Sequence, residues 1–124
     1  MKLSLETVVI YCFDVDLLKH FYSSNFELPV IEEIKDEWVV LDAGTCTIGL
    51  HRVGEAYRHL QPSASDEKNT KLIFETDDEI FALREEFIKN GISMKEIKSF
   101  DGYPFWLCDG ADPEGNVFQL KKAK

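Results

Sequence analysis

The stretch Asp112-Pro113-Glu114-Gly115-Asn116-Val117-Phe118-Gln119-Leu120 joins a tight turn to a strand whose residues can be assigned to faces. Asp, Pro and Gly in its first, second and fourth places suit a type I turn. From Val117 onward the pattern alternates as in a half-buried strand. Upstream, residues 5–16 (LETVVIYCFDVD) read as a strand running into a helix that carries Phe21-Tyr22, and residues 71–78 (KLIFETDD) run into a second helix. A strand-then-helix opening therefore occurs twice in a chain of 124 residues.

The first strand is predicted over residues 5–13, with Val8, Val9 and Ile10 as its β-branched bulk. Asp14 or Asp16 can cap the following helix, and Leu17, Leu18, Phe21 and Tyr22 give it an apolar face. Three strands fit residues 28–35, 37–41 and 45–53, with turns at Asp36 and Ala43-Gly44. Residues 54–69 lose periodicity and read as a connector, within which Tyr57, His59 and Leu60 are placed to form a flap. The second half opens at residues 71–75, and Thr76 followed by Glu79 has the spacing of a capping box. Ile80, Leu83, Phe87 and Ile88 mark a helical face that Asn90-Gly91 ends. Strands are expected at residues 93–99, 104–109 and 116–121, with a turn at 100–102.

The chain has 14 basic and 23 acidic residues, a formal charge of −9. That balance argues against a nucleic-acid backbone or an anionic membrane as partner and is compatible with a cationic ligand. Cys12, Cys46 and Cys108 have no metal-like spacing, and no targeting stretch precedes the first strand, so a reduced cytoplasmic protein is expected. No apolar run approaches the roughly 18 residues of a membrane span. Phosphate loops, serine nucleophile elbows and CxxC motifs are absent.

The doubled opening, the Phe21-Tyr22 pair and the closing Asp112-Pro113-Glu114-Gly115-Asn116 turn resemble the vicinal oxygen chelate superfamily, which includes glyoxalase I, extradiol dioxygenases and bleomycin-resistance proteins. The resemblance implies an α+β fold of two βαβββ modules with curved mixed sheets in a single domain over 1–124. Module one would span about 1–53, the linker 54–69 and module two 70–124. At the places where metal-dependent members carry ligands, this chain has Thr7, Gly49, Lys71 and Gln119. Glycine offers no donor and lysine brings a competing charge, so no metal and no cofactor are expected.

If Thr7 and Gln119 face inward, strand alternation brings Val9, Tyr11, Val117 and Lys121 with them, Thr47 and His51 beside Gly49, and Ile73 and Glu75 beyond Lys71. The ligand-binding candidates are Thr7, Tyr11, Trp38, His51, Lys71, Trp106 and Gln119, with His51 and Glu75 as the catalytic candidates. Imidazole titrates near neutrality, and the two indoles can stack on a planar ligand or hold a cation. Phe105 and Trp106 point to opposite faces, so one of them faces the pocket. Glu37, Asp42 and Asp109 are candidate rim carboxylates, and Cys108 reads as a buried structural thiol.

The expected function is metal-independent binding of a small cationic or aromatic compound, such as an antibiotic, by a homodimer like those of the bleomycin-resistance branch. The alternative is a metal-dependent lyase, isomerase or dioxygenase with an atypical ligand set such as His51, Glu75 and Gln119.

Overall fold

Strand β1 (Thr7–Cys12) ends where Asp14 turns the chain into helix α1 (Val15–Asn25), the Asp14 carboxylate accepting from the Leu17 amide at 3.0 Å. These and the following elements come from a computed structural model, described for residues 1–62 and 69–124. Strands β2 (Val30–Ile34), β3 (Trp38–Asp42) and β4 (Thr47–Arg52) follow, joined by turns in which Asp36 (φ 63°) and Gly44 (φ 92°) take left-handed conformations. The sheet order is β1-β4-β3-β2, with β1 parallel to β4 and the other pairs antiparallel. Helix α1 packs on β3 and β4, and Cys12, Leu18, Tyr22, Val39, Leu41 and Leu50 lose all solvent contact. Burial of each large aliphatic or aromatic side chain contributes about 1.5–3 kcal/mol relative to exposure.

The second half repeats this order: β5 (Lys71–Glu75), α2 (Ile80–Lys89), β6 (Ser93–Met94), β7 (Phe105–Ala111) and β8 (Val117–Ala123), arranged β5-β8-β7-β6 with β5 parallel to β8. Helix α2 packs on β6 and β8 over a core that includes Ile80, Phe87, Ile92, Cys108, Phe118 and Leu120. The fold is therefore α+β, with two four-stranded mixed sheets. By its contacts the chain divides into two compact units, one through Pro62 and the other formed by the remainder.

Three local expectations change. The capping box at Thr76 is not formed: Glu79 is itself the cap of α2, its carboxylate accepting from Phe81 and Ala82, while Thr76 Oγ1 accepts from Asp78. The strand expected over 93–99 shortens to two residues and an isolated bridge between Lys98 and Leu107. The Lys95 carbonyl accepts from Arg84 Nε at 2.8 Å and from the Cys108 thiol at 3.3 Å, and these side-chain donors draw it off the ladder. Among its described residues the connector holds one 3-10 turn, Glu55–Tyr57, and Tyr57 and Leu60 are exposed. The rest of that expected segment, at 63–68, lies outside the described residues. Among the described residues, no helix is long and apolar enough to cross a membrane.

Candidate functional site

Each sheet has one face covered by its helix and one open face, and side chains reach the open face by strand alternation. In the first unit, register places Thr7, Val9 and Tyr11 of β1 beside Thr47, Gly49 and His51 of β4. His51 pairs in turn with Trp38, and Trp38 with Ile34, so Tyr11, His51, Trp38 and Ile34 form one rung across four strands. The Tyr11 and His51 ring centroids are 5.3 Å apart with planes at 56°, and those of His51 and Trp38 are 5.7 Å apart in an edge arrangement. Tyr11 is 66% and Ile34 61% exposed, His51 is exposed and Trp38 half-buried, so the row is open to solvent at both ends.

The two middle members of the row are held by hydrogen bonds. Trp38 Nε1 donates to the Glu32 carboxylate across β2 and β3. His51 Nδ1 lies 2.7 Å from the Arg52 carbonyl, which can only accept, so Nδ1 carries a proton and Nε2 of the neutral ring is left as an acceptor. Gly49 makes room for the indole: a Cβ there would stand 2.5 Å from Trp38 Cη2. The open face around the row carries the carboxylates of Glu32 and Asp42, and Arg52 points to the other face, where Glu37 pairs with it at 3.1 Å.

In the second unit the open face presents Lys71, Ile73 and Glu75 of β5, Val117, Gln119 and Lys121 of β8, and Phe105, Leu107, Asp109 and Ala111 of β7. Asp109 is the hub, accepting from Lys71 Nζ at 2.9 Å and from Gln119 Nε2 at 2.8 Å. Burial opposes its ionisation, but the two hydrogen bonds and the charges of Lys71 and Lys98 outweigh that and lower its pKa. Lys71 thus pairs with Asp109, whereas its strand neighbour Glu75 stands in register with Lys121.

Trp106 requires a correction. It lies on the helix-covered side, its ring 5.4 Å from that of Phe81 in α2, because residues of β7 alternate and Phe105 takes the open side. Phe105 meets the Lys121 ammonium at 4.1 Å. The thiol of Cys108 is buried, donates to the Lys95 carbonyl, and has its pKa raised chiefly by burial, so it does not offer a thiolate.

The four places compared with metal ligands share one geometry. Thr7 lies opposite Thr47, two residues from Gly49, and Lys71 lies opposite Val117, two residues from Gln119, so each pair is diagonal with the same offset. Their chemistry does not fit a divalent metal. The Thr7 hydroxyl is hydrogen-bonded to that of Thr47 at 2.7 Å, Gly49 is covered by Trp38, Lys71 brings an ammonium, and Gln119, whose Nε2 donates to Asp109, offers only a neutral amide oxygen. Among the described residues, no three His, Cys, Asp or Glu side chains converge as a metal-binding group.

No protein-family model matches the chain, and no curated protein matches it. Among solved structures it is similar to lactoylglutathione lyase from Agrobacterium tumefaciens, with a TM-score of 0.74 at 18% identity over 96% of this chain and 92% of that one. It is also similar to the fosfomycin resistance protein FosX from Listeria monocytogenes, with a TM-score of 0.73 at 14% identity over 100% and 94% of the two chains. An integron cassette protein from the mobile metagenome of V. cholerae gives a TM-score of 0.73 at 20% identity over 100% and 98%. At these identities the likeness is one of fold.

Proposed function

We propose, for a chain that has the vicinal oxygen chelate fold, that the protein binds a planar, cationic aromatic small molecule without a metal, on the open rung of Tyr11, His51 and Trp38. The observation that carries this reading is the contact of three rings across adjacent strands, with Tyr11 and His51 exposed and Trp38 half-buried. An aromatic pair contributes about 0.5–1.5 kcal/mol beyond its buried area, and a cation over a ring about 0.5–2 kcal/mol. Micromolar affinity needs about 8 kcal/mol, so the remainder comes from apolar area on Val9 and Ile34 and from the nearby carboxylates. Glu32 and Asp42 on this face select positive charge.

The ligand is sequestered rather than transformed on this reading, with His51, oriented by its Nδ1–H bond to the Arg52 carbonyl, offering Nε2 as a hydrogen-bond acceptor to the ligand. The atypical metal set of the alternative would rely on the neutral amide oxygen of Gln119, a weak donor, and among the described residues no three His, Cys, Asp or Glu side chains converge. FosX is named for fosfomycin resistance, and removal of a toxic compound is the role this chemistry suits here. The same reading has the protein as a homodimer in a reducing compartment, the former supported by exposed apolar groups on the open faces and the latter by the absence of metal-like or paired spacing among Cys12, Cys46 and Cys108.

Native mass spectrometry of freshly purified protein tests this. A metal-free dimer, with or without added organic mass, is expected; one metal ion per site would overturn the reading.

A further inference from the structure

The open face of the second sheet carries a pocket that the aromatic rung leaves unused. One rung, Lys71, Val117, Ala111 and Ser93, crosses β5, β8, β7 and β6 and forms its floor. Thr70, Lys95, Asp109 and Gly110 complete the lining of a volume of about 240 Å³. Ala111, Val117 and Ser93 are small, which is why the space stays open between longer neighbours.

The Lys71 ammonium and the Lys95 backbone beside it are held in place. Lys71 Nζ donates to Asp109 Oδ2 at 2.9 Å, and an ammonium has three hydrogens, so two point elsewhere. Asp109 is 13% exposed by side chain and is fixed on its other oxygen by Gln119. The Lys95 backbone is bonded at both ends, its N–H to the Asp109 carbonyl at 2.8 Å and its carbonyl to Arg84 and Cys108. Two lysines against one carboxylate give this pocket a local positive balance in a chain of net charge −9. A cation finds no carboxylate oxygen there that is not already accepting a hydrogen bond.

We propose that this pocket binds a small oxyanion, the carboxylate or phosphate group of a ligand, on the ammonium groups of Lys71 and Lys95 and the hydroxyl of Ser93. Asp109 is the internal competitor for Lys71. It holds the ammonium at the pocket edge, and an entering oxyanion shares it. The site draws on residues of the second unit alone, so it stands or falls separately from the aromatic rung.

The test is a titration of the full chain with inorganic phosphate and, in parallel, with acetate, followed by backbone amide NMR at constant ionic strength against sodium chloride. Saturable shifts confined to Lys71, Ser93, Lys95, Gly110 and Ala111 are expected. Response to both anions assigns a general carboxylate and phosphate site, and response to phosphate alone assigns phosphate. Lys71→Gln and the exposed Lys95→Gln should each weaken binding roughly three- to tenfold, while Asp109→Asn should tighten it by a similar factor, as one charge at contact distance implies. The amide spectrum of each variant reports whether it is folded. Shifts that are linear and matched by chloride overturn the proposal, as does a folded Asp109→Asn variant that binds more weakly.

Discussion

The benzo ring of Trp38 lies over Gly49: a Cβ on that glycine would stand 2.5 Å from Cη2 and 2.9 Å from Cζ3 of the indole. The two residues are diagonal neighbours on β3 and β4, since Trp38 pairs with His51 and Val40 with Gly49. The absence of one side chain therefore positions the aromatic row.

Gly49→Ala should expel the ring from this position. Forcing a methyl group into so close a contact costs about 1–3 kcal/mol. Urea unfolding should show that loss together with a red shift of Trp38 emission. An unchanged midpoint and spectrum would mean that the indole does not rest there.

The two tryptophans should behave differently. Trp38→Ala is expected to weaken binding of a planar aromatic cation by about 1–2 kcal/mol, the scale of a ring contact with a cation. Trp106→Phe, on the helix side against Phe81, should leave affinity unchanged. Calorimetric titration of both variants separates these outcomes.

Asp109 should titrate below the ordinary aspartate value of about 3.9, because bonds from Lys71 and Gln119 outweigh the opposing effect of burial. With a depressed folded-state pKa the unfolded chain binds more protons, so the stabilisation is present above the ordinary value and is lost as pH falls through the folded one. Carboxyl carbon NMR should give a midpoint below the ordinary value in the native protein and a higher one in Lys71→Gln.

Asp112→Ala should be the costliest single change at the closing turn. This carboxylate, 5% exposed, accepts from the Glu114 and Asn116 amides at 2.9 and 3.0 Å and from Asn116 Nδ2 at 2.9 Å. Leaving a buried donor unmet costs about 1–3 kcal/mol; the Glu114 amide is buried and the two Asn116 donors, partly exposed, add less, so chemical unfolding should show a loss of about 2–4 kcal/mol. The Asp112 carbonyl also closes the turn onto Gly115, whose φ of 84° suits glycine.

The turn at Asp112, the Asp14 cap and the doubled opening were legible because each rests on neighbours in sequence. Alternation likewise assigned Thr7, Val9 and Tyr11, and Lys71, Ile73 and Glu75, to common faces. What was hidden depends on register between strands. Phe105 and Trp106 are both large and aromatic, so their pattern does not say which one the helix covers. The Lys71–Asp109 pair spans 38 residues, and its formation requires β8 to lie between β5 and β7. The Trp38–Gly49 approach likewise needs the β3–β4 pairing, although a glycine within an apolar strand was a signal of close approach.

The most direct test is a fluorescence titration of the Trp106→Phe protein, in which Trp38 is the sole indole, with a planar aromatic cation in excess chelator. Saturable quenching that disappears in the Tyr11→Ala background is expected. No quenching, or quenching that appears only after a divalent metal is restored, would contradict metal-independent binding on the Tyr11, His51 and Trp38 rung.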